Sequence, residues 1–283
     1  MNPPPRLDLP FFAYGLFRPG QLAFSSLRPW INEISEPVEA PFELRLRDGL
    51  PLINKDSPGR VVGSLLRFSA GSGPEAYAAI AQIEPDKQYI WGETIVRGEL
   101  ANVLFGRSPE RGSASCEELE WNGWNDPLFT IALDVVQETI DLEEHESNGS
   151  GSILKRLFRL QMAYMLLWSS IERYCSLRYR LNDTALQRRQ EMARERAFAL
   201  ALQTCVTRGR KIFRADDPQG ACVLAIEKPE KAIEYYYQVR CNVTHTGKAS
   251  IEDLNHVLPS AKELVTIFRQ VLRSAADESR FVR

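Results

Sequence analysis

The stretch from Glu143 to Met165, EEHESNGSGSILKRLFRLQMAYM, changes in composition near its middle and marks a boundary between two parts of the chain. Its first ten residues are acidic and end in a Gly/Ser run, a composition that buries nothing and bends freely, so they predict a linker. From Ile153 onward, apolar residues recur at helical spacing instead. A chain of 283 residues can hold two domains of ordinary size, one on each side of this junction.

The second half predicts four helices joined by short turns, which favours a helical bundle. Their expected positions are 153–179, roughly 184–213, 229–244 and 251–274. The second of these helices has a strongly basic outer face. In the first helix the apolar residues form a stripe, which consists of Leu154, Leu157, Phe158, Met162, Met165, Leu166 and Ile171.

The first half predicts strands and loops with some helix. Short apolar runs predict strands at 11–15, 60–68 and 92–97, and helical patterns occur at 73–81 and 127–141. The chain is therefore expected to be α+β. We predict a small mixed α/β or barrel-like domain at 1–106, a segment of loop, helix and linker at 107–152, and an all-α domain at 153–283.

Charge is distributed unevenly between the halves. Residues 1–152 contain 12 Lys/Arg and 23 Asp/Glu, a net charge of −11, whereas residues 153–283 contain 23 and 14, a net charge of +9. Such asymmetry indicates an acidic partner for the second half, with nucleic acid as the first candidate. The alternative is that the two halves simply attract each other.

Composition argues against several other classes of protein. No run of 18 uncharged apolar residues is present, so no membrane span is expected, and the opening MNPPPRLDLP lacks the order of a secretory signal. The five cysteines are odd in number and form no CxxC pair, and there are only three histidines. We therefore expect a cytoplasmic protein with reduced thiols and neither a zinc site nor another cofactor.

A candidate catalytic pair lies near the end of the third predicted helix. Arg240 and His245 are five residues apart, preceded by three tyrosines and followed by Gly247. Five residues turn a helix by about 500°, which places the two side chains on different faces, but Gly247 is a natural helix stop. His245 would then lie at a frayed end and could swing toward Arg240. An imidazole can take a proton from a ribose 2′-hydroxyl, and a guanidinium can hold the scissile phosphate.

The surrounding string from 237 to 248, YQVRCNVTHTGK, resembles the RNA-cleaving motif of HEPN domains. That motif is an Arg, four to six residues with a polar residue early, then a His. The resemblance implies a metal-independent endoribonuclease, often a toxin or antiviral defence effector, in which a homodimer brings two Arg/His pairs into one cleft. The implied site residues are Arg240, His245, Asn242 and Glu172, the last as the acidic position on an early helix. One departure is Cys241, since many members place Asn directly after the Arg.

Further basic side chains could track RNA phosphates, although a solvated helix face is an alternative explanation. They are Arg188, Arg189, Arg194, Arg196 and Lys248. The apolar first helix offers a surface for the homodimer, through Met162, Met165, Leu166 and Trp168.

Three stretches of the first half resemble the gamma-glutamylcyclotransferase-like fold, over roughly residues 9–105. They are Tyr14-Gly-Leu-Phe-Arg-Pro-Gly20, Val62-Gly-Ser-Leu-Leu66 and Ile83-Glu-Pro-Asp-Lys-Gln-Tyr89. The resemblance implies a pocket for a small carboxylate ligand, formed by Tyr14, Gly15, Leu16, Glu84 and Tyr89, with Glu84 moving the proton. Leu16 and Trp91 depart from the family pattern, which favours a sensing role over retained catalysis.

Three functional hypotheses follow. The first is an endoribonuclease regulated by its N-terminal domain. The second is a cyclotransferase acting on gamma-glutamyl compounds through Glu84, with the helical half serving dimerisation. The third is a non-catalytic RNA-binding module. His245 discriminates the first from the third, and Glu84 the first from the second.

Overall fold

A computed structural model describes residues 1–145, 153–179, 184–214, 217, 219–245 and 254–280. Of His245, only the backbone is described. The chain divides into two compact units. Unit 1 comprises Met1–Asp126, Leu177–Asp183 and Ala275–Arg283, and unit 2 comprises Pro127–Ser176 and Thr184–Ser274. The expected α+β class is confirmed, because strands dominate unit 1 and helices dominate unit 2.

Unit 1 is built on two sheets. In the larger sheet the strand order is β2-β6-β1-β8-β7, with β3 also paired to β6, and only the β1–β8 pairing is parallel. Its strands are β1 Phe11–Ala13, β2 Ile31–Ile34, β3 Val38–Ala40, β6 Val61–Phe68, β7 Tyr89–Val96 and β8 Glu99–Gly106. The smaller sheet has the order β5-β4-β9, from Leu50–Asn54, Glu43–Arg47 and Ala114–Ser115.

Tight turns and one helix complete the core of unit 1. The β7–β8 hairpin turns at Arg97 and Gly98, whose φ angles of 51° and 79° match the positive values of a primed turn. Helix α1, Gly73–Ile83, buries Tyr77, which makes edge-to-face ring contacts with Phe11 and Trp91. These contacts fix the end of α1, and therefore the residues that follow it, against the sheet.

The segment from 107 to 126 belongs to unit 1, although the sequence predicted it as part of the linking region. Strand β9 pairs with β4, and the indole of Trp121 donates to the carbonyl of Gly49 at 3.0 Å. Two later pieces of chain also contribute to unit 1: the Gly20 amide donates to the Ser279 carbonyl at 2.9 Å, and Arg178 pairs with Glu278 at 2.7 Å. Unit 1 is thus discontinuous in sequence.

Unit 2 contains six helices and one hairpin among its described residues. The helices are α2 Ile131–His145, α3 Ile153–Arg178, α4 Ala185–Arg194, α5 Arg196–Cys205, α6 Pro229–His245 and α7 Leu254–Ser279, of which α3 and α7 extend beyond the unit. The hairpin pairs β10 Lys211–Phe213 with β11 Ala221–Val223. The predicted single helix at 184–213 is wrong. It breaks at Glu195, which has an extended ψ of 135° and accepts a hydrogen bond from Tyr174, and it ends before the hairpin.

The acidic end of α2 is buried, contrary to the expectation that this stretch buries nothing. The Glu143 side chain is 0% exposed and pairs with Arg156 at 2.9 Å and with Arg159 at 2.6 Å. Arg156 also donates to the Glu143 carbonyl at 2.8 Å. Helix α2 is therefore held to α3 by charge. The Gly/Ser part of the predicted linker lies outside the described residues.

Helix α3 presents apolar residues on two faces, and the residues of the predicted stripe are divided between them. Leu157 and Ile171 are buried, but Leu154, Phe158 and Met162 are exposed, the last by 74%. The buried face is completed at helical spacing by Leu160, Tyr164, Leu167 and Trp168. The prediction that Trp168 contributes to a dimer surface is therefore wrong, because its side chain is buried within unit 2. A helix that is apolar on more than one face has no single inward stripe to read from sequence.

No helix among the described residues is both long enough and apolar enough to cross a membrane. In the same residues, no group of three or more His, Cys, Asp or Glu side chains is placed to hold a metal ion.

Candidate functional sites

The three tyrosines that precede Arg240 have different roles. Tyr235 and Tyr236 are fully buried, and the Tyr236 hydroxyl donates to the Glu263 carboxylate at 2.9 Å. Arg210 also donates to Glu263, at 2.7 Å through one of its nitrogens. Tyr164 of α3 donates to the Tyr236 carbonyl at 2.8 Å. This buried network holds α6 against α3 and α7. It therefore fixes the orientation of the next turn of α6, which carries Arg240.

Arg240 is half-buried on α6, one turn after Tyr237. Its guanidinium carbon lies 5.6 Å from the centroid of the Tyr237 ring. Its Nε is buried and has no hydrogen-bond partner among the described residues, and none of the ion pairs within that part of the chain involves Arg240. In contrast, other arginines of unit 2 face carboxylates, as the buried Arg189 does with Glu234 at 2.9 Å. Within the described part of the chain, no carboxylate is paired with Arg240.

The remaining residues of the predicted motif divide into those described and those not. The Asn242 amide donates to the Phe213 carbonyl at 2.9 Å and accepts from Gln238 at 2.8 Å, which anchors the β10–β11 hairpin to α6. These hydrogen bonds give Asn242 a structural role between the hairpin and the helix. His245 is the last residue of α6, but its side chain, like the whole of Lys248, lies outside the described residues.

A cavity of about 180 Å³ lies between the second half of α3 and the start of α4. It is lined by Trp168, Ile171, Glu172, Cys175, Ser176, Ala185, Arg188 and Arg189. Three predicted site residues, Glu172, Arg188 and Arg189, are thus brought together. Burial raises the pKa of the Cys175 thiol, which therefore stays protonated and is a poor nucleophile.

Tyr237 connects this cavity to Arg240, a relation that the sequence analysis missed. The guanidinium of Arg189 stacks 3.6 Å from the centroid of the Tyr237 ring, and the Trp168 ring meets the same ring edge-on at 5.3 Å. Tyr237 and Arg240 are three residues apart on one helix, so they share a face. That spacing was the sequence signal that could have revealed the connection.

Two predicted RNA contacts are not part of this cluster. Arg194 is exposed at the end of α4 and pairs with Glu191 at 2.8 Å and Glu230 at 3.1 Å. Arg196 is exposed at the start of α5. Neither lines the cavity.

In unit 1, all five predicted pocket residues line a second cavity. Tyr14, Gly15, Leu16, Glu84 and Tyr89 are joined there by Phe11, Ala13, Phe17, Pro51 and Leu104. The Tyr14 hydroxyl donates to the Leu104 carbonyl at 2.7 Å, and the Tyr89 hydroxyl donates to the Pro51 carbonyl at 2.8 Å. The cavity volume is about 20 Å³, which is enough for one water molecule.

Glu84 is the C-cap residue of α1 and the carboxylate in this cavity. Burial raises its pKa to about 8. The pKa of Tyr14 is raised as well, first by burial and second by the proximity of Glu84. Near neutral pH both groups are therefore mainly protonated. A carboxyl group with a pKa close to the ambient pH can act as a general acid or base.

A scan against models of known protein families, a search of curated proteins and a search of solved structures each gave no match. The function is therefore inferred from the geometry of these two sites.

Proposed function

We propose that this protein is a metal-independent endoribonuclease in which Arg240 holds the scissile phosphate and His245 is the general acid/base. The observation that carries the proposal concerns Arg240, a half-buried residue whose guanidinium lies beside Tyr237 and whose buried Nε has no partner among the described residues. A desolvated cation is costly unless an anion balances it. A phosphodiester supplies that anion and matches the planar geometry of the guanidinium.

The proposed reaction follows from these two roles. His245 takes the proton of a ribose 2′-hydroxyl, and the resulting oxygen attacks the adjacent phosphorus. The bond from phosphorus to the 5′-oxygen breaks, and His245 returns the proton that it took from the 2′-hydroxyl to this leaving oxygen. The products are a 2′,3′-cyclic phosphate and a 5′-hydroxyl. Arg240 stabilises the charge on the phosphoryl oxygens during attack.

Other features support this proposal without belonging to the catalytic pair. Residues 153–283 carry a net charge of +9, which suits a polyanionic substrate. The string from 237 to 248 resembles the HEPN motif, in which two protomers share a cleft. The exposed side chains of Leu154, Phe158 and Met162 give α3 an apolar surface for such a homodimer. We accordingly propose a homodimeric HEPN-type bundle that acts as a toxin or defence effector.

The decisive test is to incubate the full chain with single-stranded RNA in the presence of EDTA. We expect cleavage with cyclic phosphate ends, and loss of cleavage in Arg240→Ala and in His245→Ala. Arg194→Ala is the matched control, since it removes an exposed, carboxylate-paired arginine from the same unit. Activity that EDTA abolishes, or that survives in His245→Ala, would refute the proposal. RNA binding without any cleavage would instead favour the non-catalytic alternative.

A second candidate function concerns unit 1, because its five predicted pocket residues surround one buried carboxyl group. We propose that this pocket binds a small carboxylate ligand and regulates RNA cleavage, as a sensing relative of the gamma-glutamylcyclotransferase-like fold would. A volume of about 20 Å³ holds no glutamyl group, so a ligand requires the loop at Tyr14–Phe17 to move away from Pro51.

The regulatory and catalytic forms of this second candidate make different predictions. Turnover of gamma-glutamyl dipeptides that is lost in Glu84→Gln would establish cyclotransferase activity. Ligand-dependent RNA cleavage that is lost in Glu84→Gln, without dipeptide turnover, would establish sensing. If neither RNA cleavage nor dipeptide turnover responds to Glu84→Gln, the pocket has no part in function.

A further inference from the structure

The cavity of unit 2 lies next to the residue that we propose holds the phosphate. The Arg240 and Arg189 guanidinium carbons lie 5.6 Å and 3.6 Å from the centroid of the Tyr237 ring, so they are at most about 9 Å apart. Arg189 lines the cavity, and Tyr237 packs against its Trp168 wall. A phosphate on Arg240 and a group in the cavity are therefore within the span of one nucleotide.

The size and lining of the cavity restrict what it can hold. Its volume of about 180 Å³ is below the roughly 300–1,000 Å³ of pockets that bind drug-sized ligands, so it suits a single ring system and not a whole nucleotide. Trp168 and Ile171 provide apolar surface, while Glu172 and two arginines provide polar groups. Single-stranded RNA is read in this way, by bases that leave the stack, pack on aromatic or guanidinium planes and form hydrogen bonds through their edges.

The pairing of Arg189 and the carboxylate of Glu172 argue against a free anion as the ligand, although Arg188 adds one further positive charge to the lining. Arg189 is already paired with Glu234 at 2.9 Å and 3.1 Å, and Glu172 adds a carboxylate to the wall. The negative charge of that carboxylate would repel a phosphate in this cavity. A neutral ring that carries hydrogen-bond donors would instead be attracted, because an ionised carboxylate only accepts hydrogen bonds.

We infer that this cavity is the base-specificity pocket of the proposed ribonuclease and that it takes guanine, with Glu172 as the specificity-determining residue. The inference rests on the proposed function for its substrate, RNA. Guanine presents two neighbouring donors, N1–H and the 2-amino group, which match the two oxygens of one carboxylate. Cytosine and adenine each present one amino group beside a ring-nitrogen acceptor, and uracil presents one N3–H donor between two carbonyl oxygens, so none of them offers two neighbouring donor groups.

The test measures binding separately from cleavage. The full chain is titrated by calorimetry with each of the four ribonucleoside 5′-monophosphates. We expect GMP to bind about 5- to 150-fold more tightly than UMP, the range that a bidentate pair provides. In Glu172→Gln one acceptor is replaced by a donor, so the preference should fall to threefold or less. Glu138→Gln, an exposed carboxylate on α2, is the matched control and should keep the full preference.

Two further measurements make the test decisive. Arg240→Ala should weaken all four nucleotides by a similar factor, because it removes a phosphate contact and no base contact. In the cleavage assay, wild type should cut next to guanine, and Glu172→Gln should cut with relaxed sequence preference. Equal affinity for GMP and UMP, or a GMP preference unchanged in Glu172→Gln, would overturn the inference. GMP-selective binding without cleavage would support the pocket assignment and refute the proposed ribonuclease activity. Cleavage with unselective nucleotide binding would support the ribonuclease activity and refute the pocket assignment.

Discussion

Removing the ionisable carboxyl group of Glu84 should change how the stability of unit 1 depends on pH. The folded-state pKa of about 8 lies well above the ordinary value of 4.5. Between these values the folded chain keeps a proton that the unfolded chain has lost, so the free energy of unfolding falls as pH rises. Each pH unit costs about 1.4 kcal/mol, and the whole span of about 3.5 pH units costs about 5 kcal/mol. Roughly 4 kcal/mol of this falls between pH 5 and pH 9.

Glu84→Gln cannot ionise and should escape that loss. The difference in unfolding free energy, Glu84→Gln minus wild type, should therefore increase by about 4 kcal/mol as the pH is raised from 5 to 9. Any pH-independent effect of the amide shifts this difference by the same amount at every pH. Urea titrations followed by tryptophan fluorescence suit this measurement, because four of the five tryptophans, Trp30, Trp91, Trp121 and Trp124, lie in unit 1. The linear dependence of unfolding free energy on urea supplies the values at each pH.

Glu75→Gln is the matched control, as it makes the same substitution at an exposed position of α1. Its unfolding free energy should track the wild-type value across the pH range to within about 1 kcal/mol. If the Glu84→Gln and wild-type profiles also run parallel from pH 5 to pH 9, then Glu84 ionises in the folded protein without penalty. The assignment of a buried, protonated carboxyl group would then be wrong.

Three further predictions concern unit 2. Glu143→Gln leaves two arginines facing an uncharged amide, so it should lower the free energy of unfolding of unit 2 by about 3–5 kcal/mol. Urea unfolding followed by circular dichroism measures this loss, and the control Glu138→Gln should lose less than about 0.5 kcal/mol. Arg240→Lys keeps the charge but loses the planar pair of donors, and RNA cleavage should fall about 10²-fold in single-turnover assays; a rate equal to that of wild type would contradict the phosphate-holding role. Met162→Glu places a charge on the exposed apolar face of α3, so it should sediment as a monomer at micromolar concentration, whereas we expect the wild type to sediment as the proposed dimer. Unchanged sedimentation would contradict an interface at this face.

The local pattern predicted β1, β6, β7 and α1 of unit 1 and the long helices of unit 2, but not the other six strands of unit 1. Strand β6 was expected at 60–68 and lies at Val61–Phe68, and α6 was expected at 229–244 and lies at Pro229–His245. Apolar runs with clear boundaries determine these elements largely by themselves. The break at Glu195 was not predictable in this way. At the break, Glu195 accepts a hydrogen bond from the hydroxyl of Tyr174, 21 residues earlier, and tertiary contacts of this kind can override helix propensity.

In the candidate sites, too, residues close together in sequence were predicted, whereas contacts between separate helices were not. The pocket around Glu84 was predicted because short motifs carried its five residues. The burial of Glu143 was missed, since an acidic residue beside a Gly/Ser run is ordinarily solvated, and its arginine partners lie on another helix. The cavity lined by Glu172 was also missed. Its walls come from two helices, and only their packing creates the space.

The discontinuity of unit 1 has a consequence for how the protein is made. The segments Leu177–Asp183 and Ala275–Arg283 belong to this unit, and the ribosome adds them long after Met1–Asp126. Domains usually fold in order as they emerge, at about 5–20 residues per second. The Ser279 contacts with Gly20 therefore form only after unit 2 has been synthesised. We expect unit 1 to reach its final packing only once Ala275–Arg283 has been added, and a chain that stops before this segment to lack these contacts.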